Sequence, residues 1–107
     1  MITARFSRKN ENITAFKISG HSGLSESGSD ILCAAVSSMS LLVANTLTEV
    51  FKAEADINAD ENIPVFSLSL KSLKPENEAA AYGVLRGFYL QLRDLALQYP
   101  DNLKITD

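Results

Sequence analysis

Between Ile31 and Thr48 the chain carries no charged residue, and that stretch decides most of what it can fold into. An uncharged apolar run either crosses a membrane or packs as a helix in a globular core. This one is interrupted by Ser37, Ser38, Ser40, Asn45, Thr46 and Thr48, and it barely reaches the roughly 20 residues that a bilayer demands. It therefore reads as a buried helix and not a membrane span. The helix begins at Ser29 or Asp30 and ends near Lys52. Either Ser29 or Asp30 caps it, because each side chain can accept from the free amides of a first helical turn. Ala34, Ala35, Ser37 and Ser38 make one part thin, which lets another backbone come close.

Alternation with a period of two flanks this helix. Ile2, Ala4 and Phe6 alternate with Thr3, Arg5 and Ser7, which marks residues 2–8 as a half-buried strand. After a polar turn at residues 8–12, a second strand runs from Ile13 to Ser19 with Phe16 and Ile18 facing inward, and the two make a hairpin. Residues 54–60 and 64–71 form another strand pair. Phe66, Leu68 and Leu70 face in, and Pro64 sits at a strand start, where its missing N–H does least harm. Pro75 and Glu76 open a second helix that runs to Tyr99 along a stripe of Leu85, Phe88, Leu92, Leu95 and Tyr99, and Pro100 stops it. Leu103 to Thr106 adds a short edge strand. The order ββαββα predicts an α+β fold, a two-layer α/β sandwich with two helices on one face of a mainly antiparallel sheet. The length predicts one domain over residues 1–107. The other face of the sheet is left open, which invites a homodimer.

Composition narrows the function. The net charge is −3, and the ten Lys and Arg are scattered, so no basic face suits direct nucleic-acid binding. A single cysteine makes no disulfide within the chain. Residues 1–5 lack the basic region, apolar run and cleavage site of a signal peptide. A reducing, cytoplasmic setting is expected.

Two residues carry the chemistry. Cys33 falls in the first turn of the first helix as read here, where the macrodipole and unpaired amides favour negative charge. Its plainer role is that of a small buried hydrophobe. His21 is the only histidine; it follows Gly20 in a loop, Gly20 to Ser29, whose three glycines and four serines suggest mobility. A lone loop histidine is usually just solvated. Together the only thiol and the only imidazole flank one short loop, and that loop can fold back over the helix start, as a Cys–His pair requires. Asp30 stands one turn before Cys33, either as a helix cap or as the group that orients the imidazole. Ser37 lies one turn after Cys33 on the same face, to contact substrate or to bond back to its own helix.

Other patterns fail. Gly20-His21-Ser22-Gly23 has the spacing of a KH loop without basic neighbours. Asp56, Asn58 and Asp60 begin like a calcium loop, but Glu61 and Ser67 stand where Gly and Glu belong. No spacing completes a metal set around Cys33 and His21, so no cofactor or metal is expected.

Gly20-His21, the Gly/Ser-rich loop and Gly28-Ser29-Asp30-Ile31-Leu32-Cys33-Ala34-Ala35-Val36-Ser37 together resemble the signature of the ribosomal-processing cysteine protease family, Prp. The match runs from Gly20 to Ser37, and the ββαββα order fits that family's fold. The resemblance implies that His21 and Cys33 are the catalytic pair, with Gly20, Asp30 and Ser37 at the family's other characteristic positions. It implies a peptide substrate, the short N-terminal extension of a large-subunit ribosomal protein, cut after a hydrophobic, Phe-containing segment. It also implies a homodimer and a mobile loop over the site. Ser22 departs from the family, which often has Ala there.

The expected reaction is peptide hydrolysis by acyl transfer, with the helix-terminal amides holding the oxyanion. The alternative is a non-catalytic, ribosome-associated regulatory protein that holds a peptide in the same groove. A redox sensor using Cys33 alone is a third reading.

Overall fold

The alternating segments form strands and both apolar stripes form helices in a computed structural model, which describes residues 1–20, 26–60 and 65–107, and only the backbone of residues 26–30. The strands are β1 Ile2–Lys9, β2 Asn12–Ser19, β3 Glu54–Asp60, β4 Val65–Ser72 and β5 Leu103–Thr106. Helix α1, Glu26–Asn45, continues through a π turn at Thr46–Val50; a 3-10 turn at Pro75–Asn77 leads into α2, Glu78–Gln98. The strands lie in the order β3-β4-β2-β1-β5. All pairs are antiparallel except β1 with β5, which run parallel. The two-layer α+β arrangement is the one expected from the pattern.

Register explains why one face of the sheet becomes the core. Ala4 lies opposite Ile18 and Ile18 opposite Phe66; Phe6 lies opposite Phe16 and Phe16 opposite Leu68. Apolar rows therefore line up across β1, β2 and β4, as a period of two requires. They join Val36, Leu47, Leu85, Phe88 and Leu92 from the helices in one hydrophobic cluster. The inward stripe of α2 is buried at Leu85, Phe88 and Leu92, while Leu95 and Tyr99 are half-buried at its edge. The opposite face of the sheet presents Arg5, Ser7, Lys17, Ser67 and Ser69.

Three expectations are corrected. Helix α1 starts at Glu26, so Ser29 and Asp30 lie inside it and neither is its cap. Gly28 and the serines made the segment look like loop, but each costs a helix only about 1 kcal/mol or less, well below the gain from burying Leu32 and Val36. The second helix begins as a 3-10 turn and becomes α-helical only at Glu78. Burial of α1 is also one-sided. Leu32, Val36, Val43, Ala44 and Leu47 enter the core, yet only 33% of Ile31–Val50 is buried, and by length and composition alone it could cross a membrane. The hydroxyls that interrupt the apolar run bond back to their own helix: Ser40 to the Val36 carbonyl at 2.8 Å, Thr46 to Leu42 at 2.7 Å, Thr48 to Ala44 at 2.8 Å.

Candidate active site

Antiparallel pairing gathers the start of β1, the end of β2, the end of β3 and the start of β4 at one edge of the sheet. Across from this edge, α1 presents Cys33, Val36, Ser37, Ser40 and Leu41, whose spacing of three and four puts them on one flank. Between the two lies a groove of about 490 Å³. Its sheet wall is Ile2, Ile18, Val65 and Phe66, with Gly20 and Asp60 at the strand ends. Apolar walls with few polar groups suit the burial of a hydrophobic side chain. Asp60 is the one charged residue among the described residues that line it.

Cys33 is free and half-buried, and it packs on the core cluster while lining the groove. The two readings of this thiol are therefore compatible, since one side of it is packed and the other is accessible. It is the eighth residue of α1, not a residue of the first turn. The unpaired amides of the helix start, which were expected to hold an oxyanion, lie about 6–10 Å further along the axis. The macrodipole effect also fades beyond the first turn. Ser37 is exposed in the groove wall, one turn from Cys33. Asp30 belongs to the backbone of α1, and its side chain lies outside the described residues. His21, with the rest of residues 21–25, lies outside them too. Among the described residues no three His, Cys, Asp or Glu gather closely enough to hold a metal.

Gly20 acquires a physical reason that its sequence did not give. Its φ is +90°, and a Cβ built there would fall on the Met1 carbonyl oxygen. Only glycine fits this turn at the groove's end. Gly20→Ala is expected to cost about 1–3 kcal/mol in denaturant unfolding from backbone strain alone. Gly83→Ala, in helix α2 with open space at its Cβ, should instead stabilise by up to about 1 kcal/mol. Equal effects at both glycines would contradict this account.

Sequence reasoning missed the sheet wall of the groove. Ile2, Ile18 and Phe66 were read as core, and Asp60 as part of a failed calcium pattern. The available signal was topological: two antiparallel pairs flanking a helix bring four strand ends together.

Comparison with known proteins adds a family. The model of a family described as Cysteine protease Prp matches residues 1–104. A Bacillus subtilis protein, ribosomal processing cysteine protease Prp, is 29% identical over 109 residues, covering 99% of this chain and 96% of that one. The crystal structure of the S. aureus ribosomal processing protease Prp with a covalently linked product peptide superposes with a TM-score of 0.85 at 24% identity, over 99% of this chain and 98% of that one. A Streptococcus mutans protein gives a TM-score of 0.85 at 28% identity, over 100% of this chain and 96% of that one.

Proposed function

This chain belongs to the cysteine protease Prp family, and from that membership we propose which residues do its chemistry and what it cuts. The enzyme is a cysteine protease, a hydrolase. In the proposed mechanism His21 takes the proton from Cys33, and the thiolate attacks the scissile carbonyl to form a tetrahedral intermediate. That intermediate collapses to a thioester as His21 gives its proton to the leaving amine. Water, deprotonated by His21, then attacks the thioester and releases the acid, which restores the thiol. The observation that carries this reading is the placement of Cys33 in an apolar groove that is also lined by Gly20, the chain neighbour of His21.

The proposed substrate is the short N-terminal extension of a large-subunit ribosomal protein. The Bacillus subtilis relative is named for ribosomal processing, and the apolar groove suits a hydrophobic segment before the cut. The proposed setting is the cytoplasm, and the proposed working form is a homodimer.

The test is cleavage of a synthetic peptide with the N-terminal sequence of the host's ribosomal protein, followed by mass spectrometry. A single cut after the hydrophobic segment is expected. His21→Ala should slow it by about 10²–10⁴-fold, the usual contribution of a general base. No cut in any such peptide removes the substrate, and a cut that His21→Ala leaves at full rate removes the base.

A further inference from the structure

Along the chain the ten Lys and Arg are scattered, and no basic face is expected from composition. The fold gathers them. Strands β1, β2, β4 and β5 hold six Lys and Arg and no Asp or Glu, in a chain whose net charge is −3. Every carboxylate of the sheet lies on the edge strand β3.

On the face turned away from the helices, Arg5 of β1 lies directly opposite Lys17 of β2. Lys104 of β5 is the partner of Thr3 and so stands diagonal to Arg5. All three cations are exposed, and among the described residues none of them forms an ion pair. Like charges directly opposite one another on a sheet are destabilising. An anion held between Arg5 and Lys17 removes a repulsion that the free sheet keeps. Beside them a hollow of about 350 Å³ is lined by Arg5, Lys17, Ser7, Ser67, Ser69 and Asn58. Asp56 also borders it, with its carboxylate held by Lys71 at 3.1 Å.

We propose that this face binds the phosphate backbone of RNA. Arg, Lys and Ser are side chains that contact phosphates in nucleic-acid complexes. Here they follow a row and do not converge on a point. From Lys104 on β5 to Ser67 on β4 the face crosses three strand spacings, about 14 Å. A row of that length suits a chain of phosphates better than a single phosphate ion. Among the described residues no exposed apolar side chain lies on this face, so nothing is there to enter a bilayer as a membrane-binding face requires. It carries no aromatic ring for a base to stack on, which leaves contacts to the backbone that are independent of sequence. The choice of RNA rests on the ribosomal substrate proposed above. The hollow and the groove share no lining residue, so RNA held behind the sheet leaves the cleft with Cys33 open to a peptide.

Fluorescence anisotropy of a labelled RNA of about 20 nucleotides, titrated with the full chain, tests the proposal. With three cations engaged, the logarithm of the affinity should fall against the logarithm of salt concentration with a slope of about −2. Arg5→Gln and Lys17→Gln should each weaken binding about 3- to 10-fold at low salt and reduce that slope by roughly one third. Neither should lower the unfolding midpoint, because each removes the like-charge contact. Both together with Lys104→Gln should abolish binding, whereas Arg93→Gln, at an exposed cation of α2 in the other layer, should leave it unchanged. RNA that does not bind at low salt overturns the proposal, as does binding that the triple variant keeps. So does RNA bound no more tightly than poly-glutamate, which would make the partner an acidic protein, or no more tightly than phosphatidylserine vesicles, which would make it a membrane. The triple variant should cleave the extension peptide at the parent's rate, so a failed RNA titration and a failed peptide assay are told apart.

Discussion

Cys33→Ala is expected to lower the rate of extension-peptide cleavage by at least about 10⁴-fold while the protein stays folded, an effect in the range seen when a covalent nucleophile is removed. The size follows from the absence of any substitute. The chain has no second cysteine, and among the described residues the nearest hydroxyl on the same flank, Ser37, sits a full turn along α1. The structural cost is small by comparison. The side chain is half-buried at the groove and only its inner side touches the core, so losing one sulfur should cost roughly 1 kcal/mol. Single-turnover cleavage followed by mass spectrometry reads the first effect, and thermal unfolding reads the second. Cleavage at the parent's rate would remove Cys33 as the nucleophile.

The largest stability effect is expected at Phe6. Its side chain is 1% exposed, and its ring centroid lies 5.1 Å from that of Tyr89, 5.9 Å from Phe88 and 6.3 Å from Phe16. Tilted and edge-on pairs of this kind add to the burial of area. Phe6→Ala leaves a cavity bounded by rigid rings on β2 and α2 that cannot collapse into it. A loss of about 3–5 kcal/mol is expected, a large share of the 5–15 kcal/mol of a typical domain. In a chain of this length that corresponds to a fall of roughly 12–30 °C in Tm. Urea unfolding should show a lower midpoint with an unchanged slope. A loss under about 1 kcal/mol would mean that the aromatic cluster is not the keystone that its geometry suggests.

The strands were legible because their signal is local. Ile2, Ala4 and Phe6 alternate cleanly, and each is buried as read. The start of α1 was not legible, because Gly28 and its serines speak for a loop, and a few tenths to one kcal/mol of local preference yields to the packing of Leu32 and Val36. That error put Cys33 at a helix mouth, whereas it lies in the helix body. With it went the expected amides for an oxyanion. The groove itself was half legible: Cys33, Ser37 and Gly20 were named from the sequence, whereas Asp60 and Phe66 reach it only through strand order, which depends on pairings between residues far apart in the chain. The uncharged run of α1 was read correctly as a helix, but its two sides have different tasks, and only the structure separates the stripe in the core from the face in solvent.

The parallel pairing of β1 with β5 carries a consequence for timing. Ile2 of β1 lines the groove, and the Ile2 amide donates to the Asn102 carbonyl at 2.8 Å, just before β5 begins. Ile2 to Arg5 take Leu103 to Thr106 as their neighbours. During synthesis, then, the first strand waits about a hundred residues for its outer neighbour, and at the usual elongation rate that is roughly 5–20 s. Until that strand arrives, one wall of the cleft is held from a single side. The wall that Ile2 gives to the cleft is therefore completed only once Leu103 to Thr106 have been made.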